Sequence, residues 1–223
     1  MSAPEGLDPV HDAARVRIGA AVRRLAHAIV GREADTDELN DTAMVVERMA
    51  DELESRPRRI RDLSHFGKTL ADEPADGDRL TSHIARPGSG EGSPFGFPMT
   101  VHREGDRAVA RFAMDSAHEG PPQRAHGGIV ALAFDDALGF VLNMHQVIAY
   151  TAKLSITYRA GTPLGTPLVI TAWMDRRDGR KCFIESELRE DRPDAPLIAT
   201  CSALFIQVER HPGASDTLTS AVS

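Results

Sequence analysis

The first sixty residues carry hydrophobic positions at helical spacing. In the first segment, from Ala13 to Val30, these positions are Ile18, Val22, Leu25 and Ile29. Their spacing of three or four residues is that of one face of an α-helix. A second stripe, made of Leu39, Val46, Met49, Ala50 and Leu53, follows Asp35 and Glu38, which have the spacing of a capping box, and Pro57 ends it. The pattern predicts a helical hairpin over residues 1–60.

Residues 61–97 lose this period. Glycine and proline recur throughout the segment, from Gly67 to Gly96, and they interrupt both helical and strand patterns. We predict an irregular connector over residues 61–97 and a disordered tail over residues 210–223.

From residue 98 to residue 209 the apolar positions predict two strands, one long helix and four further strands. The predicted strands are Met99–Arg103, Arg107–Met114, Thr151–Arg159, Pro167–Asp175, Arg180–Glu190 and Leu197–Val208. The helix, Gly127 to Met144, is apolar nearly all round, so most of its surface must be covered. An antiparallel sheet wrapped around it would do so, which predicts an α+β fold with an N-terminal helical extension.

Composition narrows the kinds of partner. The chain has 223 residues, a formal net charge of −7 and only three Trp and Tyr residues in all. This balance argues against nucleic acid, whose binding depends on neutralising phosphates. The chain opens without the pattern of a signal peptide and has no predicted membrane span, so we expect a cytoplasmic protein. Cys182 and Cys201 lie in apolar strands and are interpreted as reduced core residues.

The hydrolase motifs GxSxG and HExxH are both missing, and no metal-ligand spacing is visible. We therefore expect neither a metal nor a cofactor. What the chain does contain is HGG at the start of an apolar helix, an acid nine residues after the His, and TAKLSITYRAGTP. Together with the strands DGRKCFIESEL and IATCSALFIQV, this pattern resembles the hotdog-fold acyl-CoA thioesterases of the PaaI-like branch, which includes the THEM-type enzymes. The resemblance covers roughly residues 93–208.

The resemblance implies roles for several residues. In that family the backbone N–H after the His polarises the thioester carbonyl, and an acid at the position of Asp135 activates water or attacks directly. A Ser or Thr at the position of Thr151 helps to place the water. Family members are dimers or tetramers with sites between subunits, so a homodimer or a dimer of dimers is expected here.

The residues themselves support part of this scheme. The first N–H groups of a helix lack internal partners, so Gly127 and Gly128 can offer donors to an oxyanion. The alternative is that these glycines only permit close helix packing. Asp135 lies eight residues beyond Gly127, roughly 12 Å along the axis. Because an Asp side chain cannot bridge that gap, the acid at each site must come from a second copy in a twofold dimer.

The neighbouring candidates have alternatives of their own. Asp136 is turned about 100° from Asp135 and is expected to make a structural hydrogen bond or to face solvent. For Asp135 the alternative is a satisfied core carboxylate. Thr151 is either a site residue or a β-favourable surface residue. His126 is included among the catalytic candidates, but the resemblance favours a structural role at the start of the helix.

Basic and amide side chains are candidates for substrate binding. Arg180 and Lys181 at the predicted Asp178-Gly179 hairpin, and Arg159 at a strand end, are able to hold the phosphates of coenzyme A. A solvated hairpin tip is the alternative. Gln123 is the amide nearest to HGG, where relatives often carry a substrate-orienting amide.

The leading hypothesis is hydrolysis of an acyl-CoA thioester. The alternatives are a non-catalytic acyl-CoA-binding or regulatory module, whose helical extension would dock a partner, and a hotdog hydratase.

Overall fold

The computed structural model of the chain describes residues 8–59 and 73–208. Helices α1 (Pro9–Gly31) and α2 (Thr36–Glu54) come first in the chain. The side chain of Asp8 caps α1, and Asp35 and Glu38 form the predicted capping box of α2. The tail predicted over residues 210–223 lies outside the described residues, as does part of the predicted connector.

The predicted pair of helices is confirmed, but the two helices do not share the buried core that a packed hairpin would have. No residue of α2 is buried. α1 instead packs on the body of the protein: the Cβ of any residue larger than glycine at Gly19 would lie 2.4 Å from the carbonyl oxygen of Gly92. Near its end, His27 accepts a 3.1 Å hydrogen bond from the backbone N–H of Ala117. α1 is therefore docked on the body, whereas α2 extends away from it.

Seven strands form one antiparallel sheet. They are β1 (Arg79–Leu80), β2 (Thr100–Glu104), β3 (Arg107–Phe112), β4 (Ala149–Tyr158), β5 (Leu168–Asp178), β6 (Lys181–Glu190) and β7 (Leu197–Gln207), in the order β1-β2-β3-β5-β6-β7-β4. Six of them were predicted. The short β1 lies inside the predicted connector and pairs with β2.

The long helix of the sequence prediction is α3 (Gly127–Met144), with the same bounds, and it packs against the sheet. Strand β6 shows why: its buried residues Cys182, Ile184, Ser186 and Leu188 alternate with half-buried ones, so one face of the sheet is covered. α3 also has the length and hydropathy of a candidate membrane span, but 56% of it is buried inside the protein. This burial is typical of a core helix.

Both cysteines are buried and unpaired, as predicted. Burial raises the pKa of Cys201 to about 12. A thiol held in its protonated form in this way is a poor nucleophile, so Cys201 serves as a core residue.

Apolar and polar residues alternate along strand β4, a pattern typical of a strand with one buried face, but the structure buries neither face. None of its residues is buried, and only four of them, Ala149, Tyr150, Leu154 and Ile156, are half-buried. The reason is its place at the edge of the sheet, where it pairs with β7 on one side and with no described strand on the other. An open edge of this length is a surface that folded proteins normally cover.

Candidate active site

The start of α3 presents one unpaired backbone donor. His126 is the N-cap residue, and its Nδ1 accepts a 3.0 Å hydrogen bond from the backbone N–H of Gly128. No described residue accepts the backbone N–H of Gly127. Of the two predicted oxyanion donors, the structure therefore leaves Gly127 free and places Gly128 in the helix cap. His126 accordingly has the structural role at the helix start that the resemblance favoured.

A tyrosine that was not predicted as a site residue holds the carbonyl side of Gly127. The Tyr158 hydroxyl donates a 2.7 Å hydrogen bond to the Gly127 carbonyl oxygen. Partial burial raises the pKa of Tyr158, so the hydroxyl keeps its proton at neutral pH. The only sequence signal for this contact was the position of Tyr158 inside the TAKLSITYRAGTP motif.

A groove of about 420 Å³ opens beside Gly127. It lies between the loop before α3 and the end of β4, and its lining residues are Pro121, Arg124, Ala125, Gly127, Val130, Tyr158, Arg159, Ala160, Gly161 and Thr162. Most of the exposed lining is apolar, and it includes two arginines, Arg124 and Arg159. Gly127 thus lies beside a space large enough for part of a small-molecule ligand.

The second part of the candidate site is an acid and a hydroxyl. Thr151 Oγ1 donates a 2.8 Å hydrogen bond to Asp135 Oδ1. Asp135 is half-buried on α3, and no described residue donates to its Oδ2. A register shift in the β4–β7 pairing falls between Thr151 and Lys153, and such bulges often redirect side chains next to functional sites. The pair leaves one carboxylate oxygen able to accept a proton.

Within one chain these two parts lie far apart. Gly127 and Asp135 are separated by eight residues of continuous helix, roughly 12 Å. Tyr158 beside Gly127 and Thr151 beside Asp135 are separated by seven residues of β4, roughly 23 Å. The oxyanion donor and the acid of one chain therefore cannot act on the same carbonyl group.

Asp136 has the structural role that was predicted. Its side chain is 5% exposed, and its Oδ1 accepts a 3.1 Å hydrogen bond from Arg86 Nε. Its Oδ2 accepts the backbone N–H groups of Gly88 at 2.9 Å and Ser89 at 2.6 Å. The adjacent acids of α3 thus have different partners: Asp135 faces β4, and Asp136 anchors the segment before β2.

The predicted substrate-binding residues lie at different places in the folded chain. Arg159 lines the groove, together with Arg124, a residue without a predicted role although it lies two residues before His126. Gln123 is exposed, has a φ of 61° and does not line the groove; its backbone N–H is accepted by the Glu119 carboxylate. Its role as a substrate-orienting amide stays a prediction.

Arg180 and Lys181 lie at the β5–β6 hairpin, at the far end of the sheet from the groove of their own chain. Lys181 pairs with Ile206 of β7, which pairs in turn with Tyr150 near the start of β4. The groove is at the other end of β4, at Tyr158. Within the described ranges, no three His, Cys, Asp or Glu side chains are grouped as metal ligands would be.

Comparison with known proteins gives a consistent result. Residues 123–196 match the family model of the thioesterase superfamily. Over 118 residues the chain is 30% identical to the acyl-coenzyme A thioesterase THEM4 of Xenopus laevis, a match that covers 53% of each protein. THEM4 of Mus musculus is 29% identical over 119 residues, which are 53% of this chain and 51% of the relative. The chain therefore spans about half the length of these relatives.

A thioesterase superfamily protein of known crystal structure matches the fold over nearly the whole chain. The TM-score is 0.71 at 23% sequence identity, and the match covers 92% of this chain and 94% of the other. It therefore extends beyond the sheet and α3 into the N-terminal extension. Together these matches confirm the predicted hotdog fold and the resemblance to hotdog-fold thioesterases.

Proposed function

We propose that this chain, which has the hotdog fold of the thioesterase superfamily, hydrolyses an acyl-CoA thioester to the free acid and coenzyme A. The observation that carries the proposal is that α3 has both a free donor at its start, the N–H of Gly127, and an oriented carboxylate, Asp135. The names of the matched relatives, acyl-coenzyme A thioesterases, give the substrate class.

In the proposed reaction the thioester carbonyl oxygen accepts the backbone N–H of Gly127. This hydrogen bond strengthens as negative charge develops on that oxygen, and the partial positive charge of the α3 N-terminus adds to it. Asp135 accepts a proton from water as the water oxygen attacks the carbonyl carbon. The tetrahedral intermediate then collapses and the carbon–sulfur bond breaks. Coenzyme A leaves as the thiol after its sulfur takes up the proton held by Asp135, which restores the carboxylate. Direct attack by Asp135 is the other route that the same geometry allows.

The Tyr158 and Thr151 hydroxyls orient these two groups. Tyr158 fixes the Gly127 carbonyl, and with it the direction of the first turn of α3. Thr151 holds Asp135 Oδ1, so that Oδ2 is available for the water. Neither hydroxyl transfers a proton in this scheme. Both are positioning groups.

A twofold dimer would bring the two parts together. The open side of β4 can pair with β4 of a second copy in antiparallel orientation, which covers the edge of both sheets. If that pairing is centred between Leu154 and Ser155, Thr151 of one chain lies opposite Tyr158 of the other. Asp135 of one chain would then approach Gly127 of its partner, and each dimer would have two sites.

This arrangement also suggests how coenzyme A is held. Arg124 and Arg159 at the groove offer cations for its phosphates. The β5–β6 hairpin of the second chain, with Arg180 and Lys181, would come to the same end of the sheet as Gly127 of the first. In the proposed dimer these four basic residues therefore lie at one end of each site.

Thiol release from a panel of acyl-CoAs tests the proposal. The panel covers short, medium, long and aryl acyl groups, and wild type is compared with Asp135→Asn and with Glu187→Gln, a change at a partly exposed ion pair. We expect turnover by wild type and Glu187→Gln, and a loss of about 100-fold or more in Asp135→Asn. Tight acyl-CoA binding without turnover by wild type would favour the non-catalytic module, and equal turnover in all three would overturn the role of Asp135.

A further inference from the structure

Helix α2 has an apolar stripe that no described residue of its own chain covers. Leu39, Val46, Met49 and Leu53 are between 40% and 67% exposed, and no residue of the helix is buried. A helix of 19 residues is marginal in water without packing, because most helix stability in proteins comes from a buried apolar face. The stripe therefore indicates a docking surface.

A groove with apolar walls lies beside helix α1 and is a candidate site for the α2 stripe. Ile18 and Val22 of α1 are 51% and 40% exposed, and they face Ile84, Ala85 and Pro94 across a groove of about 270 Å³. Leu25 and Ile29 continue the line of Ile18 and Val22 along α1 at the spacing of a helix–helix seam.

The charges of the two helices are complementary. α1 carries four arginines and one aspartate, a net charge of +3, and α2 carries seven carboxylates and one arginine, a net charge of −6. At the groove itself, Arg15 Nε is buried and has no hydrogen-bond partner among the described residues. A carboxylate of a docked α2 would supply a negatively charged partner for the Arg15 guanidinium.

The connection between the helices allows an exchange. Only four residues, Arg32 to Asp35, separate α1 from α2, and the C-cap Arg32 and N-cap Asp35 both have extended backbone. This link directs α2 away from its own α1, which leaves both apolar surfaces open. Exchange of one element between identical chains is a common way to cover such surfaces.

From these four observations we infer that α2 of one chain docks in the α1 groove of a second copy of the chain. The contact is a reciprocal exchange of α2 between two N-terminal extensions. It is separate from the β4 edge and does not depend on the proposed enzymatic activity: a chain with no thioesterase activity can still exchange α2.

Disulfide trapping between differently tagged full-length chains tests the exchange. One chain carries Val22→Cys, and the other carries Val46→Cys, Met49→Cys or Leu53→Cys; the native Cys182 and Cys201 are fully buried. After co-expression and mild oxidation, we expect a covalent heterodimer for at least one of the three α2 positions. Asp106→Cys, in the exposed β2–β3 turn, replaces Val22→Cys as the control, and each chain oxidised alone gives the background of self-pairing.

Two outcomes would overturn the inference. A chain with both cysteines that forms only an internal disulfide, while the mixture gives no heterodimer, would show that α2 folds back on its own α1. No disulfide at any of the three positions would show that α2 does not use this groove.

Hydrogen exchange of the α2 amides provides a second readout. We expect Val22→Asp, a substitution outside α2, to lower the protection of α2, whereas Ala20→Asp on the opposite face of α1 leaves it unchanged. Protection should also fall on dilution, because the contact joins two chains, and at 1 M salt, because its charges are complementary. Protection that is independent of concentration would contradict an exchange between copies.

Discussion

Thr151 Oγ1 lies 2.8 Å from Asp135 Oδ1, a hydrogen bond that joins edge strand β4 to helix α3. The residues are sixteen positions apart, and neither the helix nor the strand would need this contact to form. The bond fixes one oxygen of the Asp135 carboxylate and leaves the other open. Its role is therefore to orient the Asp135 side chain.

Thr151→Val should lower kcat without a comparable change in KM. A hydrogen bond to a charged group contributes about 1.5–3 kcal/mol, so we expect a loss of about 10- to 100-fold. Thr151→Ser keeps the hydroxyl and should retain most of the activity. Steady-state thiol release measures the kcat of both variants. Equal losses of kcat in Thr151→Val and Thr151→Ser would contradict a role for the hydroxyl.

Gly127→Pro should remove the oxyanion donor while keeping the helix start. Gly127 is the first residue of α3, a position that favours proline, and His126 has the extended backbone, φ −64° and ψ 135°, that a residue before proline prefers. Loss of one oxyanion donor costs about 10²- to 10³-fold in kcat.

Gly127→Ala is the matched control for that change. It keeps the N–H, and its Cβ would make an ordinary contact 3.5 Å from the Tyr158 hydroxyl. If alanine and proline reduce kcat equally while both proteins remain folded by circular dichroism, the N–H of Gly127 is not the donor.

Mixing two inactive variants should restore activity if the site is shared between chains. A heterodimer of Gly127→Pro and Asp135→Asn chains would combine the intact Gly127 of one with the intact Asp135 of the other. It would then have one wild-type site out of two, so a random equal mixture should regain about a quarter of wild-type activity. Co-expression followed by thiol-release assays measures this recovery, and no recovery despite heterodimer formation would place both groups in one chain.

Asp136→Asn should destabilise the protein strongly. The substitution leaves Arg86 without its counter-charge in a site where the Arg86 side chain is 15% exposed. Removing one partner of a buried pair typically costs about 3–5 kcal/mol. Chemical denaturation measures the change, with Glu187→Gln at a partly exposed pair as the control that should cost at most about 1 kcal/mol. Similar small losses in both would show that the buried pair contributes little.

Acidification should destabilise the protein through His118. Its Nδ1 accepts the backbone N–H of Asp115 at 3.1 Å and its Nε2 contacts the carbonyl oxygen of Phe95 at 3.1 Å, so the ring is neutral in the folded protein. Burial lowers its pKa below the ordinary 6.5, and the neighbouring His27 of α1 adds to this shift. The unfolded chain therefore takes up the proton first, and the stability that His118 contributes is complete above pH 6.5 and is lost as the pH falls towards its lower folded value.

Melting temperatures of wild type and His118→Gln between pH 8 and pH 5 check this expectation. The wild-type curve should fall more steeply below pH 6.5 than that of the variant. Parallel curves would contradict the role of His118.

Local patterns were sufficient to predict α3 and six of the seven strands, because the apolar residues of each element repeat with the period of that element. They could not predict the interaction of Arg86 with Asp136, which joins residues fifty positions apart. The loss of Gly128 as a free donor depends on the rotamer of His126, which the sequence does not give. The exposure of β4 depends on the order of the strands in the sheet. Asp135 and Thr151 could be named from their spacing, whereas their direct contact required the fold.

The contacts of Asp136 also decide where this protein can be divided. Its three donors all come from residues 86–89, before the start of the predicted hotdog domain at residue 98. A chain shortened to begin at residue 98 would retain every catalytic candidate, yet the Asp136 carboxylate in the middle of its central helix would lose all three of these donors. The segment that looks like a linker in the sequence is therefore part of the packed structure around α3.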